Sequence, residues 1–156
     1  RNKIVGFFTG RSEFGPRSLG NRSILADPRN TEAQKNINLK IKFRESFRPF
    51  APIVLEQFAY DYFENCKISP FMQKTYFLKK DKLLSNGKLK VSSIFNKIDQ
   101  IRSIVPAITH VDNSARVQTV SNKNSEIYKL LFKFYETTNC PMLINTSFNF
   151  VGWSDL

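Results

Sequence analysis

Near the end of the chain, Asn145-Thr146-Ser147-Phe148-Asn149 puts short polar side chains directly after an apolar run. Ser147 and Asn149 are two residues apart, so an extended backbone turns both to one face. They offer hydrogen bonds without charge, which suits a carbonyl, amide or phosphate oxygen. The ends of buried strands are where α/β proteins commonly place ligands. An ordinary polar turn has the same composition. A second pair, Lys42 and Arg44 in Lys42-Phe43-Arg44, also has two-residue spacing, with Glu45 and Arg48 close behind. On a strand these two cations share a face and repel unless an anion lies between them. A phosphate or acyl phosphate is a natural occupant, and a solvated charged edge accounts for the same pattern.

Two further segments carry chemically capable side chains. Between Gly10 and Arg22, Gly10, Gly15 and Gly20 alternate with Arg11, Arg17 and Arg22. The glycines let backbone approach a ligand and the arginines supply planar, bidentate donors. Glu13 is placed to orient one of the arginines. The spacing fits neither a P-loop nor a dinucleotide fingerprint, and the arginines could equally face acidic groups of a neighbouring domain. In Thr109-His110-Val111-Asp112, followed by Arg116, the only histidine of the chain lies near a carboxylate. A general base and a purely structural histidine both fit that pattern.

The elements that must position these residues follow from periodicity and punctuation. Residues 4–8 read as a buried strand and 10–22 as a shaped loop. Residues 23–26 form a short strand, and Asp27-Pro28 opens a helix to about Lys40. Lys42–Arg48 is a charged loop or strand edge. Residues 50–55 are extended and 56–64 are a short amphipathic helix. Residues 71–78 form another strand, and the lysine-rich 79–103 is a loop with weak helix. Two strands, 107–110 and 115–120, flank a tight turn at Asp112-Asn113-Ser114. Ser125 caps a helix with Ile127, Leu130, Leu131, Phe134 and Tyr135 on one face, and 142–145 is a buried strand. The class is mixed α/β. Spacing does not fix the strand order.

Composition bounds the function classes. The chain has 156 residues, 41% hydrophobic content and 15 Phe, enough for one domain with a real core. The reading is a single domain over residues 1–156, cut at both ends from a longer chain. The net charge is +11. Residues 1–50 hold 11 Lys+Arg against 4 Asp+Glu, while 107–156 are balanced at 4 against 4. Cys66 and Cys140 lack Cys or His partners at metal-ligand spacing, so they read as free thiols in a reducing compartment. One histidine rules out a His-rich metal site, and no metal ligands are expected in the chain. No apolar run is long enough to span a bilayer, and a cytoplasmic location is expected.

The stretches "GRSEFGPRSLGNRSILADPRN", "KFRESFRPFAP" and "THVDNSARVQTV", with Ser69–Met72 and Leu143–Asn149, resemble the C-terminal domain of the NodU/CmcH-type O-carbamoyltransferases. The resemblance covers nearly the whole chain apart from 79–103. It implies a YrdC-like fold, an open twisted α/β sheet with flanking helices. It also implies an activity: formation of carbamoyl-adenylate from carbamoyl phosphate and ATP, with Mg²⁺ accompanying the ATP. An N-terminal actin-like domain with its own metal, outside this chain, would then pass the carbamoyl group to a hydroxyl acceptor. A homodimer is compatible with this picture.

The resemblance maps a Lys-x-Arg pair onto Lys42 and Arg44 and a Ser-x-Asn pair onto Ser147 and Asn149. Lys42 and Arg44 would hold carbamoyl phosphate and neutralise developing charge. Ser147 and Asn149 would bind its oxygens. Arg116, Arg17 and Arg22 would contact further phosphates or close an inter-domain face, with His110, Arg48 and Asn145 nearby in the ligand site. Two departures stand out. Asn113 replaces a common Gly, and Phe150–Leu156 keeps only Gly152 of the family's usual continuation. Competing readings are a basic nucleic-acid-binding module and a catalytically inactive interaction domain. The first fits the pI near 9.8. Glu13, Asp27 and Glu45 interrupt the basic stretches, so nucleic acid is not the expected partner.

Overall fold

In the computed structural model of the chain, the described residues are 3–84, 100–123 and 125–149. Six strands form one open sheet: β1 (Ile4–Phe8), β2 (Arg22–Ala26), β3 (Ala51–Leu55), β4 (Lys74–Phe77), β5 (Ser114–Val120) and β6 (Met142–Ser147). Their order is β1-β2-β6-β3-β5-β4. Only β3 and β5 run parallel; every other neighbouring pair is antiparallel. The expected mixed α/β class with an open sheet and flanking helices is therefore found.

The helices are α1 (Thr31–Asn36), α2 (Glu56–Tyr62) and α3 (Glu126–Thr138), and a π-helical turn, Ile37–Ile41, continues α1. Alternation along β3 splits the core in two. Ile53 and Leu55 pack with Leu25, Leu143, Ile127 and Leu131 beneath α3. Val54 packs with Ile24, Met142, Ile144, Ile37, Ala59 and Phe63 on the opposite face. β3 is buried along its whole length, and its Pro52 is tolerated because the ladder to β5 begins only at Ile53.

Ser125 caps α3 as expected, its Oγ accepting from the Tyr128 N–H at 3.3 Å. Asn139, at φ 56°, ends the helix in the left-handed region. Elsewhere local chemistry moved the boundaries. The helix expected from Asp27-Pro28 begins instead after Asn30, whose Oδ1 accepts from Glu32 and Ala33 N–H. Asp27 is engaged by the Arg29 guanidinium at 2.6 Å. The strand expected at 107–110 is a 3₁₀ turn, Pro106–Ile108. Pro106 fixes φ there, and Thr109 Oγ1 turns back to donate to the Val105 carbonyl. Residues 4–8 are an edge strand rather than a buried one, with Val5 and Phe8 exposed. The strand expected over 71–78 starts only at Lys74, because Met72 has a φ of 54°. Asn113 has a φ of 66°, a conformation asparagine tolerates in place of glycine. Of 79–103, a 3₁₀ turn at Lys80–Lys82 and a bridge between Leu83 and Ser103 are seen; 85–99 lie outside the described residues.

Residues 9–21 form the loop joining β1 to β2, and it is held to the rest of the fold. Gly20 has a φ of 113°, and a methyl group placed there would come within 2.9 Å of Ile127 Cγ1 in α3. Gly20→Ala should therefore lower unfolding free energy by about 1–3 kcal/mol in urea titration. An unchanged midpoint would show that this contact does not anchor the loop.

Candidate active site

The site begins at the end of the π-helical turn. The Lys42 N–H donates to the Ile37 carbonyl at 2.9 Å, the wide spacing of a π turn. Phe43 then has a φ of 48°. This kink, not a strand, carries Lys42 and Arg44, so the shared strand face expected from their spacing does not exist. Asn38 holds the turn together. It is fully buried, and its Nδ2 donates to the Ser46 and Arg48 carbonyls at 3.0 and 2.9 Å. Its Oδ1 accepts from Arg44 Nε at 2.7 Å. The Arg44 guanidinium lies over the Phe50 ring, 4.8 Å from its centroid.

Lys42 is only 8% exposed and reaches across the fold to the end of β6. Its Nζ donates to the Ser147 carbonyl, to Ser147 Oγ at 3.2 Å, to the Asn149 carbonyl at 3.1 Å and to Asn149 Oδ1 at 2.6 Å. Ser147 Oγ in turn donates to Asn149 Oδ1 at 2.6 Å. Three of the four residues singled out by spacing thus meet at one ammonium group. Burial and the neighbouring Arg44 pull the Lys42 amine down to about 8.

Beside this cluster lies a cavity of about 160 Å³, lined by Arg17, Arg44, Arg116, Asn145, Thr146 and Ser147 among others. Three guanidinium groups and no carboxylate line it, so its field favours an anion. Burial, and then Arg17, lower the Arg116 pKa. Arg116 Nε is buried and without a hydrogen-bond partner among the described residues. A buried donor left without an acceptor costs stability unless a ligand supplies one.

The other sequence candidates have different positions. Asn145 lines the cavity, but its Nδ2 is committed to the Ser18 carbonyl at 3.0 Å and Gln118 Oε1 at 2.8 Å. Gln118 Nε2 donates to the Leu19 carbonyl at 2.8 Å. The two amides therefore pin the 9–21 loop to the sheet and bring Arg17 to the cavity. Among the described residues no ion pair joins Glu13 to an arginine side chain. Its carboxylate accepts from the Leu19 and Asn21 N–H groups, each at 2.7 Å. Arg22 is not among the residues lining the cavity and ties its own loop, donating to the Thr9, Gly10 and Asn21 carbonyls. Arg48 is exposed and pairs with Glu45 at 3.5 Å. His110 lines a separate cavity of about 640 Å³ with Lys35 and Arg102. Burial, and to a smaller extent Arg116, lower its pKa against the opposing pull of Asp112. Asn38, Gln118 and Ser18 carried no sequence signal, since isolated polar residues look alike until their partners are known.

Residues 1–154 match the family described as Carbamoyltransferase C-terminus. The chain belongs to that family. It is 50% identical over 151 residues to an uncharacterized protein of Synechocystis sp., covering 96% of this chain and 25% of that protein. It is 43% identical to Nodulation protein NolO of Bradyrhizobium diazoefficiens, covering 94% of this chain and 24% of that protein. Identity to Nodulation protein U of Sinorhizobium fredii is 41%, covering 97% of this chain and 24% of that protein. The chain thus spans about a quarter of the length of these relatives. As a carbamoyltransferase C-terminal domain it has no helix among its described residues long and apolar enough to cross a membrane. Among those residues no group of three or more His, Cys, Asp or Glu could hold a metal. Cys66 and Cys140 are free. Phe150–Leu156, where the sequence departs from the family pattern, lies outside the described residues.

An ammonium that titrates near 8 gives the site a pH signature. Affinity for inorganic phosphate, already dianionic at these pH values, should fall by about tenfold between pH 8 and pH 9.5 as Lys42 loses its proton. Isothermal titration reads this directly. Constant affinity across that range would remove Lys42 from the anion site.

Proposed function

We propose that this chain is the carbamoyl-activating domain of an O-carbamoyltransferase, forming carbamoyl-adenylate from carbamoyl phosphate and ATP. The observation that carries this reading is the convergence of Lys42, Ser147 and Asn149 beside a cavity ringed by Arg17, Arg44 and Arg116. A cavity of about 160 Å³ is of the size for a small acyl phosphate, not for a whole nucleotide. Carbamoyl phosphate needs cationic donors for its phosphate and neutral donors and acceptors for its amide. This cluster offers both.

In this reading the phosphate of carbamoyl phosphate lies among the arginines, and Arg116 Nε finds its acceptor there. On binding, the Ser147 hydroxyl and one Lys42 N–H would exchange their bonds to Asn149 Oδ1 for the carbonyl oxygen, which leaves Asn149 Oδ1 to accept from the carbamoyl NH₂. Carbamoyl phosphate, ATP and water give carbamoyl-adenylate, pyrophosphate and phosphate. Water adds to the carbamoyl carbon as the bond from that carbon to the phosphate oxygen breaks, giving carbamate, phosphate and a proton released to solvent. Pyrophosphate leaves as the carbamate oxygen bonds to the α-phosphorus. The charge released on both leaving groups is met by fixed guanidinium and ammonium groups, so positioning and charge stabilisation carry the rate without a protein nucleophile. Mg²⁺ enters as the MgATP substrate. The cavity itself offers no carboxylates to hold a resident cation. An N-terminal domain with an actin-like fold would receive the activated carbamoyl group and deliver it to a hydroxyl acceptor.

Carbamoyl-phosphate-dependent ATP–pyrophosphate exchange by the full-length protein tests this reading. Lys42→Ala should lower exchange by at least about 10²-fold, and Ser147→Ala, which keeps the charge, by about tenfold. Exchange at the wild-type rate in Lys42→Ala would remove Lys42 from the mechanism. Absence of exchange from the wild-type protein would refute carbamoyl-adenylate formation.

A further inference from the structure

Phe148 stands between the two residues that meet Lys42, and its ring contacts a distant strand. The Phe148 N–H donates to the Arg22 carbonyl at 3.0 Å, which carries the pairing with β2 one residue past the end of β6. A methyl group placed at Gly6 would come within 2.5 Å of Phe148 Cε2. β2 lies between β6 and β1, so the ring crosses β2 to cover the edge strand. There it meets Phe8 edge to face, with centroids 4.6 Å apart and planes at 77°. The Arg22 guanidinium rests over Phe8, 5.0 Å from the ring centroid, and is itself bonded to the Thr9, Gly10 and Asn21 carbonyls.

Gly6 lies in the middle of β1 and is not one of the glycines with positive φ. Its backbone is therefore open to any residue, and glycine inside a strand is less favourable than alanine. What the structure requires of position 6 is the missing side chain. Gly6 pairs with Ile24 and Phe8 with Arg22, so Gly6, Phe8 and Arg22 share one face of the sheet, the face on which the Phe148 ring lies. Phe8 is 58% exposed and Phe148 36%. Rings this open gain less from burial than core rings do; the slot over Gly6 gives Phe148 a fixed position. Asn149 comes next in the chain, and both its carbonyl and its Oδ1 must reach Lys42 Nζ. One backbone path out of β6 meets both requirements, and the seat of Phe148 defines that path.

We propose that Gly6 and Phe8 form a seat for the Phe148 ring, and that this seat positions Ser147 and Asn149 around Lys42 for the carbamoyl end of the substrate. Gly6 and Phe148 are thus positioning residues, acting through their neighbours. The catalytic consequence rests on the carbamoyl-activation reading; the seat and its hold on Lys42 do not.

The test uses the full-length protein with Gly6→Ala, Phe148→Ala and the two combined. Gly6→Ala should raise the KM for carbamoyl phosphate in pyrophosphate exchange by about tenfold, the size of one lost hydrogen bond, and leave the KM for ATP within about twofold. Its urea unfolding midpoint should not fall below that of the wild type. The pH midpoint of Lys42 acetylation, followed by mass spectrometry, should rise from about 8 toward the ordinary lysine range. Water then reaches the ammonium, while Arg44, its charged neighbour, stays in place. Phe148→Ala should show the same KM and Lys42 changes. The double variant should be no worse than Phe148→Ala, because the added methyl has no ring left to displace. Wild-type KM values and a wild-type Lys42 midpoint in these variants would overturn the seat. Losses that multiply in the double variant would overturn it too, as would lower stability with equal rises in both KM values, the mark of a merely structural role. A raised Lys42 midpoint in variants of a protein that shows no exchange would uphold the seat and refute carbamoyl activation instead. If Gly6→Ala does not fold, Phe148→Ala decides by the same readouts.

Discussion

A buried ammonium group must be surrounded by oxygen, and that requirement organises this protein around Lys42. Its Nζ gathers two carbonyl groups and two side-chain oxygens from Ser147 and Asn149, 105 and 107 positions further along the chain. Transferring such a cation out of water is costly unless it is hydrogen-bonded. The oxygens that compensate also fix Ser147 and Asn149 beside the arginine-lined cavity. One interaction therefore satisfies the charge and shapes the site.

The rest of the fold delivers the two ends of that contact. β6 lies between β2 and β3; its first four residues are buried, and its half-buried end, Thr146 and Ser147, continues along β2 alone. The other end comes from a π turn that Asn38 braces from within. The third wall is the 9–21 loop, drawn in by Gln118 and Asn145 from two different strands and seated on α3 at Gly20. Arg17 belongs to this loop, while Arg116 rises from β5. Cations from three separate parts of the chain thus face one small volume, an arrangement that favours an anionic ligand over an empty state.

Much of this was legible in the residues. Apolar runs marked β2, β3, β5, β6 and α3, because buried strands and amphipathic helices leave strong periodic signals. The spacing of Ser147 and Asn149 also foretold their meeting, although Asn149 lies just past the strand. For Lys42 and Arg44 the spacing suggested a shared strand face, and the backbone that carries them is of another kind. The strand face inferred from their spacing is a π turn followed by a left-handed Phe43, and nothing in local pattern distinguishes those. Arg22, Glu13 and Asn145 show the same limit. Arg22 and Glu13 are occupied by backbone groups of their own loop, and Asn145 Nδ2 by Ser18 and Gln118, while Asn145 Oδ1 is buried without a hydrogen-bond partner among the described residues. Partners decide between such roles, and they come from strands far away in sequence. Boundaries at Asn30 and Pro106 shifted because a side-chain cap and a fixed proline φ outweighed the apolar period.

The central claim is that Lys42 and the Ser147–Asn149 pair act as one unit at the anion site. A double-mutant cycle on Lys42→Ala and Asn149→Ala, read as carbamoyl-phosphate-dependent exchange by the full-length protein, tests it most directly. If the residues act together, the double variant loses little more than the more damaging single variant. Losses that multiply would contradict the account, showing that the buried ammonium and Asn149 contribute separately.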